Sequence, residues 1–283
     1  MLNKVMILTD STCDLNPAYI IKEDIQIIPL FIRFQEQVYR DGLDILVDEL
    51  FSKVKGMDEV ARSTGLRSGD FHNAFNKYLK RGYDIVYIGV GSNLSSSIQS
   101  SLIAKQELET SKIWIVDSKT ISSGLGLCVM EAVRLRNQGK SAETIKTYLD
   151  QLAKELHFYY MISDLDLLRK TSRIKPLQYR LGKIVGSKPI VSMINYKIEM
   201  QKHPMVSHEK MLNVFVSYLK KVTKGKRIER LMITHSMSED DATLGFDLIN
   251  TVLKPKHIDM YKVGCVLGAQ IGPNAFGCSY VLS

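Results

Sequence analysis

Cysteine is scarce, and its spacing carries no chemistry. The four cysteines among 283 residues, Cys13, Cys128, Cys265 and Cys278, form no CxxC pair, which argues against a zinc site or a redox couple and leaves reduced thiols as the expectation. No run approaches the roughly 18 uninterrupted apolar residues that span a bilayer, so no stable membrane insertion is expected. The first residues meet Asp10 too early for a signal peptide and lack a small-residue cleavage site, so a cytoplasmic location is expected. Internal repeats and low-complexity tracts are missing. So are the HExxH, GxSxG and Walker A patterns. Gly89-Val-Gly-Ser-Asn-Leu94 places leucine where a dinucleotide fingerprint has its third glycine, and no cofactor is expected.

What is present suits a globular protein. Apolar residues make up 45% and charged residues 24%, and a length of 283 favours two domains over one. The net charge of +8 is uneven: residues 1–160 carry 19 Lys and Arg against 20 Asp and Glu, while residues 161–283 carry 19 against 10. An acidic partner or a phosphorylated ligand would account for such a surface, as would simple solvation. Nucleic acid is disfavoured, because no recognition motif is present and aromatics are not interleaved with the basic run.

Apolar runs alternate with helical patterns through the first half. Lys4–Leu8, Ile25–Phe34, Tyr83–Val90 and Lys112–Val116 read as strands. Asp44–Val54, Phe71–Leu79, Ser95–Leu108 and Ser122–Asn137 have helical spacing. This alternation predicts a parallel sheet covered on both faces, with ligands beyond the carboxyl ends of the strands. From about Phe158 the pattern changes. Strands near 158–162, 189–194, 196–200, 231–235 and 258–263 are interspersed with helices near 164–170, from 207 and near 242–253. The fold class is therefore α/β in two domains: residues 1–158 form an N-terminal α/β domain with a parallel sheet, and residues 159–283 a C-terminal α+β domain with a mixed or antiparallel sheet.

Hydroxyl groups gather where such a fold binds ligands. Ser92, Ser95, Ser96 and Ser97 crowd a strand-to-helix turn, where free backbone N–H groups and hydroxyls favour a carboxylate or a phosphate. Ser63 and Thr64 add two more in a polar loop. Asp10-Ser11-Thr12 and Asp117-Ser118 end two other strands and either reach the same rim or cap the next helix. In Gly264–Gly277 four glycines and a proline frame an apolar stretch where the backbone approaches something closely or turns sharply, and Gln270 within it can donate its amide to an oxyanion. His235 ends a strand, and a serine hydrolase using Ser95 and His235 is the alternative to a binding protein.

Together these segments resemble the DegV family of bacterial fatty-acid-binding proteins over nearly the whole chain. The matching elements are Thr9-Asp-Ser-Thr-Cys-Asp-Leu15, Leu94-Ser-Ser-Ser-Ile-Gln-Ser-Ser101, Val116-Asp-Ser118 with Ser122-Ser-Gly-Leu-Gly126, Asp164–Ile174, Lys188-Pro-Ile190 and Gly264–Gly277. The resemblance implies a long-chain fatty acid in a buried tunnel, with its carboxyl group held by Ser63 or Thr64, by Ser95 and Ser96, and by Gln270 where the family usually has histidine. It further implies a non-catalytic protein that presents the fatty acid to a separate ATP-dependent fatty-acid kinase, for acyl-phosphate formation in phospholipid synthesis. The basic residues Arg169, Lys170, Arg173 and Lys202 are the candidates for partner or phosphate contact. Four departures stand out. Ser63-Thr-Gly-Leu66 replaces TSQP, Ser96 replaces a glycine, Thr171-Ser172 replace paired glycines, and Gln270 replaces the histidine.

Overall fold

The computed structural model describes residues 4–57, 59–163, 165–174 and 187–282. Asp164, which opens one of the matching motifs, and the basic segment 175–186 lie outside the described residues.

Strand β1 (Val5–Asp10) is apolar on both faces, as a central parallel strand requires. A 3-10 turn comes next. Asn16 then caps α1 (Pro17–Lys22), with Pro17 at its first position, where the missing N–H costs nothing. The run expected as one strand over 25–34 is two strands, β2 (Ile25–Ile28) and β3 (Phe31–Phe34), in different sheets. Pro29 has no N–H for a ladder, and the Leu30 N–H turns aside to donate to Ser11 Oγ at 3.1 Å. β3 then pairs antiparallel with β4 (Gln37–Arg40) and, after α2 (Val47–Val54), with β5 (Arg62–Thr64). Local patterning gave no warning of this small sheet, since its outer strands are only three and four residues long.

Beyond α3 (Ser68–Leu79), β6 (Asp84–Gly89), α4 (Ser97–Glu107) and β7 (Ile113–Asp117) complete a four-stranded parallel sheet in the order β2-β1-β6-β7. Helix α5 (Ser123–Asn137) buries eleven of its fifteen residues. It contacts β1 and β6 on one side and two strands of a second sheet, Ile228–His235 and Phe276–Leu282, on the other. A helix apolar all round is one covered all round. After α6 (Ala142–Glu155), the second sheet starts with β8 (His157–Met161).

Helix α7 (Asp166–Lys170) leads to β9 (Ile190–Ile194) and β10 (Lys197–Lys202). Then come α8 (His208–Thr223), β11 (Ile228–His235), α9 (Glu239–Leu253), β12 (His257–Lys262), α10 (Cys265–Ile271) and β13 (Phe276–Leu282). The sheet order is β10-β9-β8-β13-β11-β12, parallel between β11 and β12 and antiparallel elsewhere. The fold is thus α/β with a parallel sheet followed by a mixed one. The four cysteines are buried and free. Among the described residues no helix is long and apolar enough to cross a membrane.

The two sheets are joined through a buried polar hub. Ser122, at φ 56° and ψ −128°, presents its Oγ to Asp14 Oδ2 at 2.5 Å, Tyr160 OH at 2.8 Å and Thr234 Oγ1 at 2.9 Å, and Tyr160 and Thr234 bond each other. The 3-10 turn after β1, the start of α5, β8 and β11 therefore meet at one serine.

Candidate ligand-binding site

The carboxyl ends of β1 and β6, the start of α4, strand β5 and helix α10 enclose a cavity of ≈200 Å³. Its polar wall is Thr12, Ser63, Ser95, Ser96, Arg173 and Gln270; its apolar part is Leu30, Val90, Leu94, Ile121 and Val266. Ser63 reaches it because β5 pairs Ser63 with Ile32, and alternation along the strand turns Thr64 outward. Thr64 is exposed and is not among the lining residues.

The α4 serines divide their work. Ser97 is fully buried; its N–H donates to Ser95 Oγ at 3.2 Å, and the two hydroxyls lie 2.9 Å apart. Ser95 thus caps the helix start while still lining the cavity. Ser96 lies over Gly65: a Cβ built on Gly65 would come within 3.0 Å of Ser96 Oγ and 3.2 Å of Ser95 Oγ. Two departures from the family pattern are therefore in contact, the added hydroxyl at 96 occupying space that a side chain at 65 would need.

Arg173 has a different place from the one expected of a surface contact. It is half-buried in the cavity wall, with Nη1 donating to the Leu94 carbonyl at 2.7 Å. Its Nε is buried with no hydrogen-bond partner among the described residues. Burial lowers its pKa, yet a guanidinium stays charged at any ordinary pH. Of the other three basic candidates, Arg169 lies beside it, and Lys170 and Lys202 do not. Arg169 shares with Arg173 and Lys197 a neighbouring pocket of ≈450 Å³. Lys170 lines a separate small pocket against α2, and Lys202 lies 5.6 Å over the Tyr218 ring on the far side of β10.

The strand-end acids shape loops. Asp10 accepts from the N–H groups of Thr12 at 3.0 Å and Val90 at 2.9 Å and from Tyr87 OH at 3.2 Å, and burial raises its pKa. Asp117 accepts from the Ser92 and Lys119 N–H groups, each at 3.1 Å, and pairs with Lys119 Nζ. Neither lines the cavity, whereas Thr12 does. Gln270 is buried within α10, a helix that the glycine-framed stretch did not lead one to expect.

The hydrolase alternative needs a base beside Ser95. Ser95 Oγ pairs with Ser97 instead, and His235 does not line the cavity. His235 Nδ1 is buried with no partner of good geometry among the described residues, and burial lowers the pKa of the ring.

Comparison with known proteins gives a consistent picture. The sequence model of the DegV family matches residues 4–283. A DegV domain-containing protein of Clostridium acetobutylicum is 32% identical over 282 residues, covering 99% of each chain, and one of Staphylococcus aureus is 29% identical over 280 residues, covering 98% of each. A fatty-acid-binding DegV family protein of Thermus thermophilus superposes with a TM-score of 0.90 at 22% identity, over 99% of this chain and 100% of its own. A stearic-acid-binding protein of Eubacterium ventriosum does so at 0.87 and 22%, over 100% and 98%.

Proposed function

The chain belongs to the DegV family, and from that premise we propose that it binds a long-chain fatty acid whose carboxylate sits in the ≈200 Å³ cavity among Ser63, Ser95, Ser96, Gln270 and Arg173. The observation that carries this reading is Arg173 Nε, a buried charged donor with no partner among the described residues, in the wall of a hydroxyl-lined cavity. Leaving such a donor unmet costs more than a neutral one, and a carboxylate supplies the acceptors it lacks. The serine hydroxyls and the Gln270 amide complete a donor set for an anion. The structural relatives from Thermus thermophilus and Eubacterium ventriosum are fatty-acid binders, which supports the same ligand class.

The acyl chain supplies most of the affinity, at about 0.8 kcal/mol per buried CH₂. The cavity, at ≈200 Å³, is below the roughly 300–1,000 Å³ usual for ligand sites, so the chain extends past Leu30, Ile121 and Val266 by displacing apolar side chains of the floor. Thr64 takes no part in holding the head group in this arrangement. The two domains, residues 1–158 and 159–283, act as the two sides of the site.

In the finer reading the protein performs no chemistry itself. A separate ATP-dependent fatty-acid kinase transfers the γ-phosphoryl group to the bound carboxylate, releasing ADP and leaving an acyl phosphate for phospholipid synthesis. Arg169, Lys170 and Lys202 steer that partner by charge. Charge reversal at Arg169 lowers kinase-dependent phosphorylation while leaving fatty-acid affinity intact; equal loss of both would speak against the division of roles.

The head-group assignment is tested by titrating palmitate into the wild type and Arg173→Met. The variant should bind roughly 10- to 100-fold more weakly. Unchanged affinity would place the carboxylate elsewhere.

A further inference from the structure

The head-group cavity has a neighbour. The pocket of ≈450 Å³ shares two wall residues with it, Leu94 and Arg173. Three segments build this second space: the loop after β6 at Asn93 and Leu94, the end of α7 at Arg169 and Ser172–Ile174, and the β9–β10 hairpin at Tyr196–Glu199. Asn195 and Tyr196 hold φ at 47° and 62°, the left-handed pair that a two-residue hairpin turn needs, so Lys197 follows the tip directly. Tyr196 is held from across the pocket, where Asn93 Nδ2 donates to its carbonyl at 3.3 Å and Lys119 Nζ lies 5.4 Å over its ring. At the end of α7 the chain reverses at Ser172. The Ser172 N–H donates to the Arg169 carbonyl at 2.9 Å and the Arg173 N–H to that of Leu168 at 2.7 Å. This reversal sends Arg173 toward Leu94 and leaves both arginines in the pocket wall.

The wall is basic. Arg169, Arg173 and Lys197 stand against one acid, Glu199, among the described lining residues, and the Ser172 hydroxyl adds a neutral donor. The two cavities therefore suit different groups. The smaller offers hydroxyls, an amide and one guanidinium, a set for a singly charged carboxylate. The larger adds two further cations, a set for a group with two negative charges. Arg173 belongs to both. A guanidinium carries five N–H donors in a rigid fork, more than the Leu94 carbonyl uses.

A carboxylate phosphorylated in the smaller cavity gains its phosphoryl group one oxygen away. In that step a carboxylate oxygen bonds to the γ-phosphorus as the bond from phosphorus to the leaving oxygen of ADP breaks, and ADP departs with the electron pair. The new group needs a space that adjoins the head group, opens outward to the phosphoryl donor and is lined by cations. The pocket at Arg169 and Lys197 adjoins the head group through Arg173, opens at the exposed residues Tyr196 and Lys197, and carries the cations.

We propose that the pocket between the end of α7 and the β9–β10 hairpin is a phosphoryl subsite, in which Arg169 and Lys197 hold the phosphate of a bound acyl phosphate while Arg173 spans its carbonyl and phosphoryl ends. This rests on the fatty-acid reading above and adds to it a ligand that the protein retains after phosphorylation. Lys197 is the lysine of this subsite, whereas Lys202, at the other end of β10, lies over Tyr218.

The test is calorimetric titration of (2-oxoheptadecyl)phosphonate, which is palmitoyl phosphate with a methylene in place of the bridging oxygen, into the full chain without any kinase. Palmitate is titrated in parallel. The phosphonate should bind, and Lys197→Ala should weaken it roughly three- to tenfold while palmitate affinity stays within about twofold. Lys197→Glu should weaken it roughly tenfold or more, again without loss for palmitate. Lys197 is exposed on a hairpin strand, so both variants should fold. With no kinase present, such a loss belongs to the ligand and not to partner docking. A phosphonate that fails to bind a chain that takes palmitate would overturn the phosphoryl subsite alone. So would an equal effect of Lys197→Glu on both ligands, or none on either. Failure of both ligands to bind the wild type would instead strike the fatty-acid assignment, and this subsite with it.

Discussion

Arg173 Nη1 lies 2.7 Å from the carbonyl oxygen of Leu94, and this bond ties the segment after α7 to the loop that leads into α4. The bond fixes where the guanidinium can point. With Nη1 spent on Leu94, Nε is left buried and without a partner among the described residues, in the wall that also carries Ser95 and Ser96. A cation on one side of the chain and hydroxyls on the other are thus held around a single small space.

Gln270 supplies a neutral donor where the family resemblance leads one to expect a titratable one. Replacing it, Gln270→His, should leave binding near the wild-type value above pH 7. It should tighten fatty-acid binding as the pH falls below roughly 6.5, where an unperturbed imidazole gains its proton. Titrations at pH 5.5 and 8 compare the two proteins. The wild type should lack this added pH dependence, and a variant that behaves identically would mean that position 270 does not reach the head group.

The contact between Gly65 and Ser96 predicts coupling. Gly65→Gln alone should weaken fatty-acid binding, because its Cβ would fall 3.0 Å from Ser96 Oγ and push the hydroxyls out of place. Ser96→Gly removes that obstruction. The double variant should recover roughly 1 kcal/mol or more of what the single Gly65→Gln change loses, in a double-mutant cycle read by palmitate affinity. Strict additivity would show that the two positions act independently.

Ser172 holds φ at +60°, in the left-handed region, at one of the two positions where the resemblance implies glycine. A Cβ is disfavoured there, and glycine is not. Ser172→Gly should therefore be neutral or stabilising by about 1 kcal/mol or less, since the added freedom of the unfolded chain offsets part of the gain. Chemical denaturation would reveal this. A loss of more than that amount would show that the serine hydroxyl has a partner that matters.

Asp14 gives stability a pH dependence of defined sign. Burial is the main cause of its rise to about 8, with the nearby Asp41 and Asp10 adding to it, against the bonds from Ser122 and Gly264. The folded protein keeps a proton that the unfolded chain releases near pH 4. Between about pH 4 and 8 the native state therefore binds more protons, and stability declines as the pH rises through that window. Asp14→Asn retains an acceptor for the Gly264 N–H and should flatten the fall in melting temperature from pH 5 to 8. Burial shifts Asp10 and Asp41 in the same direction, so the slope should lessen without vanishing. A wild-type slope in the variant would assign the dependence to those other acids.

The parallel sheet was legible because its strands are continuous apolar runs, and the serines at the start of α4 were legible because they crowd a strand-to-helix turn. The break at Pro29 was written in the sequence too, but an unbroken apolar run on both sides masked it. Helix α10 was not legible. Gly264, Gly268 and Gly272 show locally only that the backbone is closely approached or turns sharply, and the close approach is what holds at Gly268, which lies inside the helix with a built Cβ within 2.5 Å of Val47 Cγ2 on α2. What makes that approach is tertiary and leaves no local trace. Arg173 was likewise read as part of a basic surface, since charge counts along a chain do not say which arginine turns inward. Asp14 and Asp41, which accept from the Gly264 and Cys265 N–H groups, are brought to the start of α10 only by the folded chain.

The most direct test of the central claim is native mass spectrometry of the freshly purified chain, followed by denaturing lipid analysis. The account predicts one fatty acid per chain in the wild type and a much reduced occupancy in Arg173→Met. A wild-type chain that carries no fatty acid, even after incubation with palmitate and stearate, would contradict it.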